Sequence, residues 1–140
     1  MIKEDILKEL FEHLDTPYKH QGRLKGIGID CIGLIISVFK NCGYLNDIID
    51  NKNYDRIPSS DLFLKHIEKH SYKIKKDEIK ETDLITFKIL EQVNHIGMIY
   101  KIENDIIYFI HAFQPAGKVV KDKIDLKWQR RIDNFYRFKE

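Results

Sequence analysis

Apolar residues recur every three or four positions over residues 2–14 (Ile2, Ile6, Leu7, Leu10, Phe11, Leu14), the stripe of an amphipathic helix. Thr16-Pro17 stops it, and the stretch to Asp30, with Gly22, Gly26 and Gly28 among polar residues, reads as a structured loop. Next, the run CIGLIISVFKN at 31–41 is apolar almost all round. That composition predicts a short helix buried on most sides, with Asp30 as its N-cap and Cys42-Gly43 as its end. A further helix is predicted from Ser60 to about His70, opened by a serine-aspartate cap and turning Leu62, Phe63 and Ile67 inward. After Tyr72 the pattern changes to β-branched and aromatic runs at 84–87, 96–102, 106–111, 118–120 and 134–138, which read as strands. Glu103-Asn104-Asp105 supplies a hairpin turn between two of them. Helices first and an antiparallel sheet after is the order of an α+β fold.

Composition refines this picture only modestly. With 140 residues, 43% hydrophobic and 33% charged, the chain suits one water-soluble domain spanning 1–140. A net charge of +2, with basic residues dispersed among acids, is too weak for a nucleic-acid footprint. Residues 1–14, MIKEDILKELFEHL, carry charges throughout, so they form neither the apolar core of a secretory signal nor a membrane span. The expectation is a chain with no export route of its own.

Candidate chemistry centres on Cys31. A thiol attacks as thiolate, and the first turn of a helix favours negative charge through its unpaired N–H groups and dipole. The other cysteine, Cys42, is eleven residues away on the same predicted helix, roughly 16 Å, too far for a disulfide. Nucleophilic catalysis also needs a base oriented by a third polar group. His95 opens one predicted strand and His111 closes the next, so a turn at 103–105 brings them side by side. His20 lies in the loop that should approach the start of the cysteine helix, whereas His13 is expected on a helix surface. His66 and His70 share a helix face, but Ile67 stands where a zinc-peptidase glutamate belongs and no third ligand is evident, so no metal is assigned.

Several segments together resemble a known family: Thr16-Pro17-Tyr18, Asp30-Cys31 with Gly33-Leu34, His95-Ile96-Gly97, and Ile110-His111-Ala112. They are similar to the NlpC/P60 superfamily of cysteine peptidases. Residues 16–21 and 25–34, with Trp128-Gln129-Arg130-Arg131-Ile132 and Phe135-Tyr136-Arg137-Phe138, resemble more closely the branch found in phage and gene-transfer-agent tail clusters. The resemblance implies a papain-like α+β fold, with the cysteine helix packed on an antiparallel sheet. It also implies cleavage of peptide or amide bonds in peptidoglycan stem peptides, often between D-glutamate and a diamino acid, with no cofactor. Carried over, Cys31 is the nucleophile, His95 the base and His111 the residue orienting it. Tyr18 lines the site and is a candidate oxyanion donor beside the Cys31 amide, while Asp30, Ile32 and His20 are candidate substrate contacts.

Two positions depart from the family pattern. Ile32 follows the nucleophile where many wall-lytic members have serine, and Thr82 precedes Asp83 where glycine is usual. If the substrate is cell wall, the expected lack of an export route means delivery with a partner, after lysis, or on a particle such as a phage tail. Two other readings stay open. One is a catalytically inert tail-assembly or wall-binding module of the same fold, and the other a thiol hydrolase or acyltransferase with a different acyl substrate.

Overall fold

The computed structural model describes residues 2–45, 52, 54 and 60–139, the side chains of residues 61 and 62 excepted. The N-terminal stripe closes α1 (Lys3–Glu12) onto the core through Ile6 and Leu10, both fully buried, with Leu7 and Leu14 packed beside them. Ile2 and Phe11, at the margins of the stripe, are exposed. His13, expected on the surface, is instead wholly buried, because its ring bridges the Glu9 carbonyl oxygen and the Ser37 hydroxyl, each at 2.7 Å. A ring satisfied at both nitrogens tolerates removal from water.

The predicted buried helix is α2 (Cys31–Asn41), and Asp30 caps it by accepting from the Gly33 N–H. Helix α3 (Ser60–Glu68) buries Phe63 and Ile67, while the Leu62 side chain lies outside the described residues. The Ser60 hydroxyl ties this helix to the sheet, donating to the Gln92 side chain at 2.9 Å and accepting from the Val93 N–H at 2.8 Å. The helix stops at Glu68, short of the predicted end, and Ser71–Ile74 forms an unpredicted strand, β3.

Five more strands complete a six-stranded antiparallel sheet: β4 (Leu84–Ile89), β5 (Gln92–Glu103), β6 (Ile106–Phe113), β7 (Lys118–Lys123) and β8 (Ile132–Phe138), in the order β3-β8-β4-β5-β6-β7. The β5–β6 turn runs through Asn104 and Asp105 at φ 53° and 63°, a left-handed pair that short polar side chains accept. Between β4 and β5 the turn residues are Leu90 and Glu91 at φ 56° and 65°. Neither type favours that conformation, so the hairpin carries no local signal and β5 begins earlier than its sequence suggests.

One face of the sheet meets α1, α2 and α3 over Leu34, Phe39, Ile96, Met98 and Tyr136. The other face holds a smaller aromatic core of Phe87, Phe109, Phe135 and Trp128, the last carried by the one-turn helix α4 (Leu126–Gln129). The loop before α2 contains a two-stranded ribbon, β1 (Arg23–Leu24) with β2 (Gly28–Ile29). It is stitched across the start of edge strand β7, where the Tyr18 N–H donates to the Gly117 carbonyl at 2.8 Å and the Val119 N–H to that of Thr16 at 2.9 Å. Tyr18 and His20 are thereby held near the tip of α2. No helix among the described residues is long and apolar enough to cross a membrane.

Candidate active site

Asp30 anchors the helix tip. Its Oδ1 accepts from the Gly33 N–H at 2.7 Å and from Arg23 Nη1 at 3.0 Å, and its Oδ2 accepts from the Gln21 N–H at 2.9 Å and from the Tyr54 hydroxyl. Gly33 makes this possible, since a Cβ there would lie 2.2 Å from the Gly22 carbonyl oxygen. Loop and helix are therefore locked through one buried carboxylate, with every oxygen engaged inside the protein.

Cys31, the first residue of α2, faces a cavity of about 170 Å³ and is 9% exposed. Its thiol donates to the Asn94 carbonyl oxygen at 3.9 Å, and the sulfur receives the backbone N–H groups of Ile96 and Ile32. The sulfur is thus held against the strand on either side of His95. Burial, followed by the neighbouring Asp30 carboxylate, pushes the Cys31 thiol up to about 12, against the opposite pull of those N–H groups and Arg23. The lowering expected from the helix tip is overturned here. Helix-start donors are present, but desolvation of the anion outweighs them, so the resting group is a thiol.

His95 and His111 meet as the turn at 103–105 predicts. His95 Nε2 lies 2.7 Å from His111 Nδ1, and His111 Nε2 lies 2.8 Å from Asp122 Oδ2. An aromatic cage fixes both rings: Trp128 stacks on His95 at 6.0 Å between centroids and Phe113 on His111 at 5.0 Å, with Phe87 and Phe109 closing the sides. Gly97 leaves room for this packing, since a Cβ there would sit 2.8 Å from the Phe109 ring and 3.3 Å from His111 Cβ. Burial lowers His95 well below the ordinary histidine value, helped by His111 and Arg131. It also lowers His111, with Asp122 opposing. Both imidazoles are neutral near pH 7.

Tyr18, His20, Asp30, Cys31, Ile32 and His95 all line the one cavity, and His111 stands behind His95. Sequence reasoning missed five contributors: Asp122, the Trp128 and Phe113 rings, Asn94, and Tyr54, whose carbonyl receives His20 Nε2 at 3.1 Å and Gln21 Nε2 at 2.8 Å. Asp122 lies two residues beyond the end predicted for its strand, and a longer alternating reading of 118–123 would have exposed it. His66 meets the Tyr54 ring edge-on and His70 stacks with Phe138. Among the described residues no three potential metal ligands cluster. The arrangement offers a shielded thiol, a neutral imidazole with one ring nitrogen outside the relay, and an adjoining cavity. Acyl transfer needs that set of parts.

A sequence model of the NlpC/P60 family matches residues 15–137. No curated protein matches the chain. Among solved structures, the NlpC/p60 domain of the peptidoglycan hydrolase SagA is 20% identical, with TM-score 0.68, over 99% of this chain and 100% of that one. An NLP/P60 lipoprotein-like protein from Staphylococcus aureus is 23% identical, with TM-score 0.66, over 99% of this chain and 41% of that one. NlpC1 from Trichomonas vaginalis is 20% identical, with TM-score 0.68, over 97% of this chain and 44% of that one. The chain thus spans the whole of one neighbour and less than half of the other two. At these identities the likeness establishes the fold, a papain-like α+β architecture.

Proposed function

The chain belongs to the NlpC/P60 family, and from that premise we propose that it is a cysteine peptidase or amidase hydrolysing a peptide or amide bond in peptidoglycan stem peptides. One observation carries the reading: Cys31 and His95 line a common cavity, and His95 is backed by His111 and Asp122 at 2.7 and 2.8 Å. Likeness to two solved structures, a domain of a peptidoglycan hydrolase and an N-acetylmuramoyl-L-alanine amidase from Bacteroides uniformis, supports the substrate class. Residues 1–140 act as one catalytic domain in this reading.

Because burial keeps both partners neutral at rest, proton transfer accompanies attack instead of preceding it. When the acyl carbon enters, the thiol turns from the Asn94 carbonyl toward His95, whose Nδ1 takes the proton as sulfur bonds to carbon. The oxyanion is met by the Cys31 amide and the Tyr18 hydroxyl. Loss of one such donor costs about 3 kcal/mol of transition-state stabilisation. His95 then gives its proton to the departing amine, leaving a thioester on Cys31. A water, deprotonated by the same nitrogen, attacks the thioester, releases the acid and restores the thiol. His20 and the apolar Ile32 shape the acyl side of the cavity, and Asp30 holds the wall. The scissile bond favoured by the family resemblance is D-glutamyl-diamino acid. The resemblance of residues 16–21, 25–34, 128–132 and 135–138 to the tail-cluster branch supports delivery on a phage-like particle.

Incubation with defined muropeptides, followed by mass spectrometry of the products, tests the reading. Release of a free amine and a free acid from one stem-peptide bond is expected, and turnover retained in Cys31→Ala rules out this nucleophile. A second reading, an inert wall-binding module, draws on the high Cys31 pKa of about 12. It predicts muropeptide binding without products.

A further inference from the structure

We propose that Asp122 is a positioning residue that, through His111, decides which nitrogen of His95 is free to act as base. This rests on the hydrolase reading for its kinetic consequence, although its structural content can be read without substrate. Asp122 sits on edge strand β7 opposite Phe109, its side chain is 38% exposed, and it does not line the cavity, so it acts only through the ring it touches.

The hydrogens of the relay follow in order from the carboxylate. An ionised carboxylate accepts only, so the 2.8 Å contact places a hydrogen on His111 Nε2. A neutral imidazole carries one hydrogen, which leaves His111 Nδ1 as an acceptor. The 2.7 Å contact between the rings is then a donation from His95 Nε2–H to His111 Nδ1. His95 Nδ1 is left with its lone pair, able to receive the thiol proton. Every heavy atom would stay in place if the relay ran the other way, with His111 Nδ1–H donating to His95 Nε2. In that state His95 Nδ1 bears a hydrogen and cannot accept from sulfur. The contact between the two rings is one hydrogen bond in either direction, and the cage of Phe109, Phe113 and Trp128 supplies only ring contacts that do not distinguish the two. The carboxylate at the far end makes the choice, because in the reversed state the bare His111 Nε2 lone pair would face a carboxylate oxygen with no hydrogen between them, and the 2.8 Å hydrogen bond would be lost.

Nitrogen-15 NMR of histidine-labelled protein at pH 7.5 reads the tautomers directly, in wild type, Asp122→Ala and Asp122→Asn. Wild type is expected to show His111 and His95 each protonated on Nε2. Asp122→Ala is expected to move part of the population to Nδ1–H on both rings and to lower kcat on a cleaved muropeptide about 10- to 100-fold with KM within about twofold, a smaller loss than the ~10⁴ seen when the partner touching a catalytic histidine itself is altered. Asp122→Asn, which keeps an acceptor oxygen, should recover part of both. His111 protonated on Nδ1 in the wild type overturns the proposal, as does an Asp122→Ala protein with unchanged tautomers and kcat. If Asp122→Ala does not fold, the wild-type spectrum and Asp122→Asn decide. Absence of turnover with the tautomers as stated would sink the hydrolase reading and leave the positioning intact.

Discussion

Two buried histidine clusters lie in this protein, and on paper they look alike. His13 stands 2.7 Å from the Ser37 hydroxyl and 2.7 Å from the Glu9 carbonyl oxygen, with the Glu9 carboxylate at 3.7 Å, a serine-histidine-acid set. His95 stands 2.7 Å from His111 and shares a cavity with Cys31. In both clusters burial lowers the histidine pKa. The difference is access, because Cys31 and His95 open onto the cavity while neither His13 nor Ser37 lines it. Hydrogen-bond geometry is therefore shared by a structural clamp between α1 and α2 and by a candidate active site. What separates them is space for a substrate next to the nucleophile.

Substitution of the two nucleophile-like atoms should break the likeness most sharply. Cys31→Ala is expected to lower kcat/KM on muropeptides by at least about 10⁴-fold, the scale of losing a catalytic nucleophile. Ser37→Ala should leave kcat within about twofold and lower unfolding free energy by about 1–3 kcal/mol, the cost of an unsatisfied buried group. A denaturant melt and a turnover assay on both proteins check the pair. Gly97→Ala comes next. Its Cβ would press on Phe109 and His111, so a loss of about 1–3 kcal/mol in stability is expected together with reduced kcat, because the relay shares that strand. An Ala at this site that lowers stability but spares kcat would separate the packing from the chemistry.

Much of this contrast was legible in the sequence, and the illegible part has a common cause. The Asp30 cap, helix α2 and the turn at Asn104-Asp105 follow from local preferences, so the meeting of His95 with His111 could be anticipated. Strand β3 could not, because it is defined by pairing with the distant β8, and neither could the Leu90-Glu91 turn, whose positive φ values Leu and Glu do not favour. His13 burial depends on Ser37, twenty-four positions away, and Asp122 reaches His111 only through the β6–β7 register. The direction of the Cys31 shift was misjudged for the same reason. A helix tip is visible in sequence, and desolvation by a distant strand is not.

Acidification affects both clusters, with one sign. His13, His95 and His111 all titrate below the ordinary value when folded, so from about pH 6.5 downward the unfolded chain binds more protons. Stability is complete above that value and falls as pH drops through the folded pKa values, by about 1.4 kcal/mol per pH unit for each proton concerned. Chemical melts from pH 7.5 to 4.5 should show this decline, with a shallower slope in His13→Gln and unchanged kcat at pH 7.5. A flat profile in the wild type would contradict neutral burial of all three rings. The smallest effect concerns a position remote from either cluster. Thr82 adopts φ 77°, a left-handed conformation that glycine takes up without a Cβ penalty, so Thr82→Gly should raise stability by up to about 1 kcal/mol. A drop in the melting temperature would show that the threonine is held there by contacts outweighing its backbone strain.

The central claim is that Cys31 carries the acyl group during turnover, and acid-quenched intact mass spectrometry with peptide mapping tests it most directly. During muropeptide turnover the account predicts a hydroxylamine-labile acyl adduct on the peptide containing Cys31, absent from Cys31→Ala. Continued product formation with no adduct there, or with the adduct on Cys42, would contradict it.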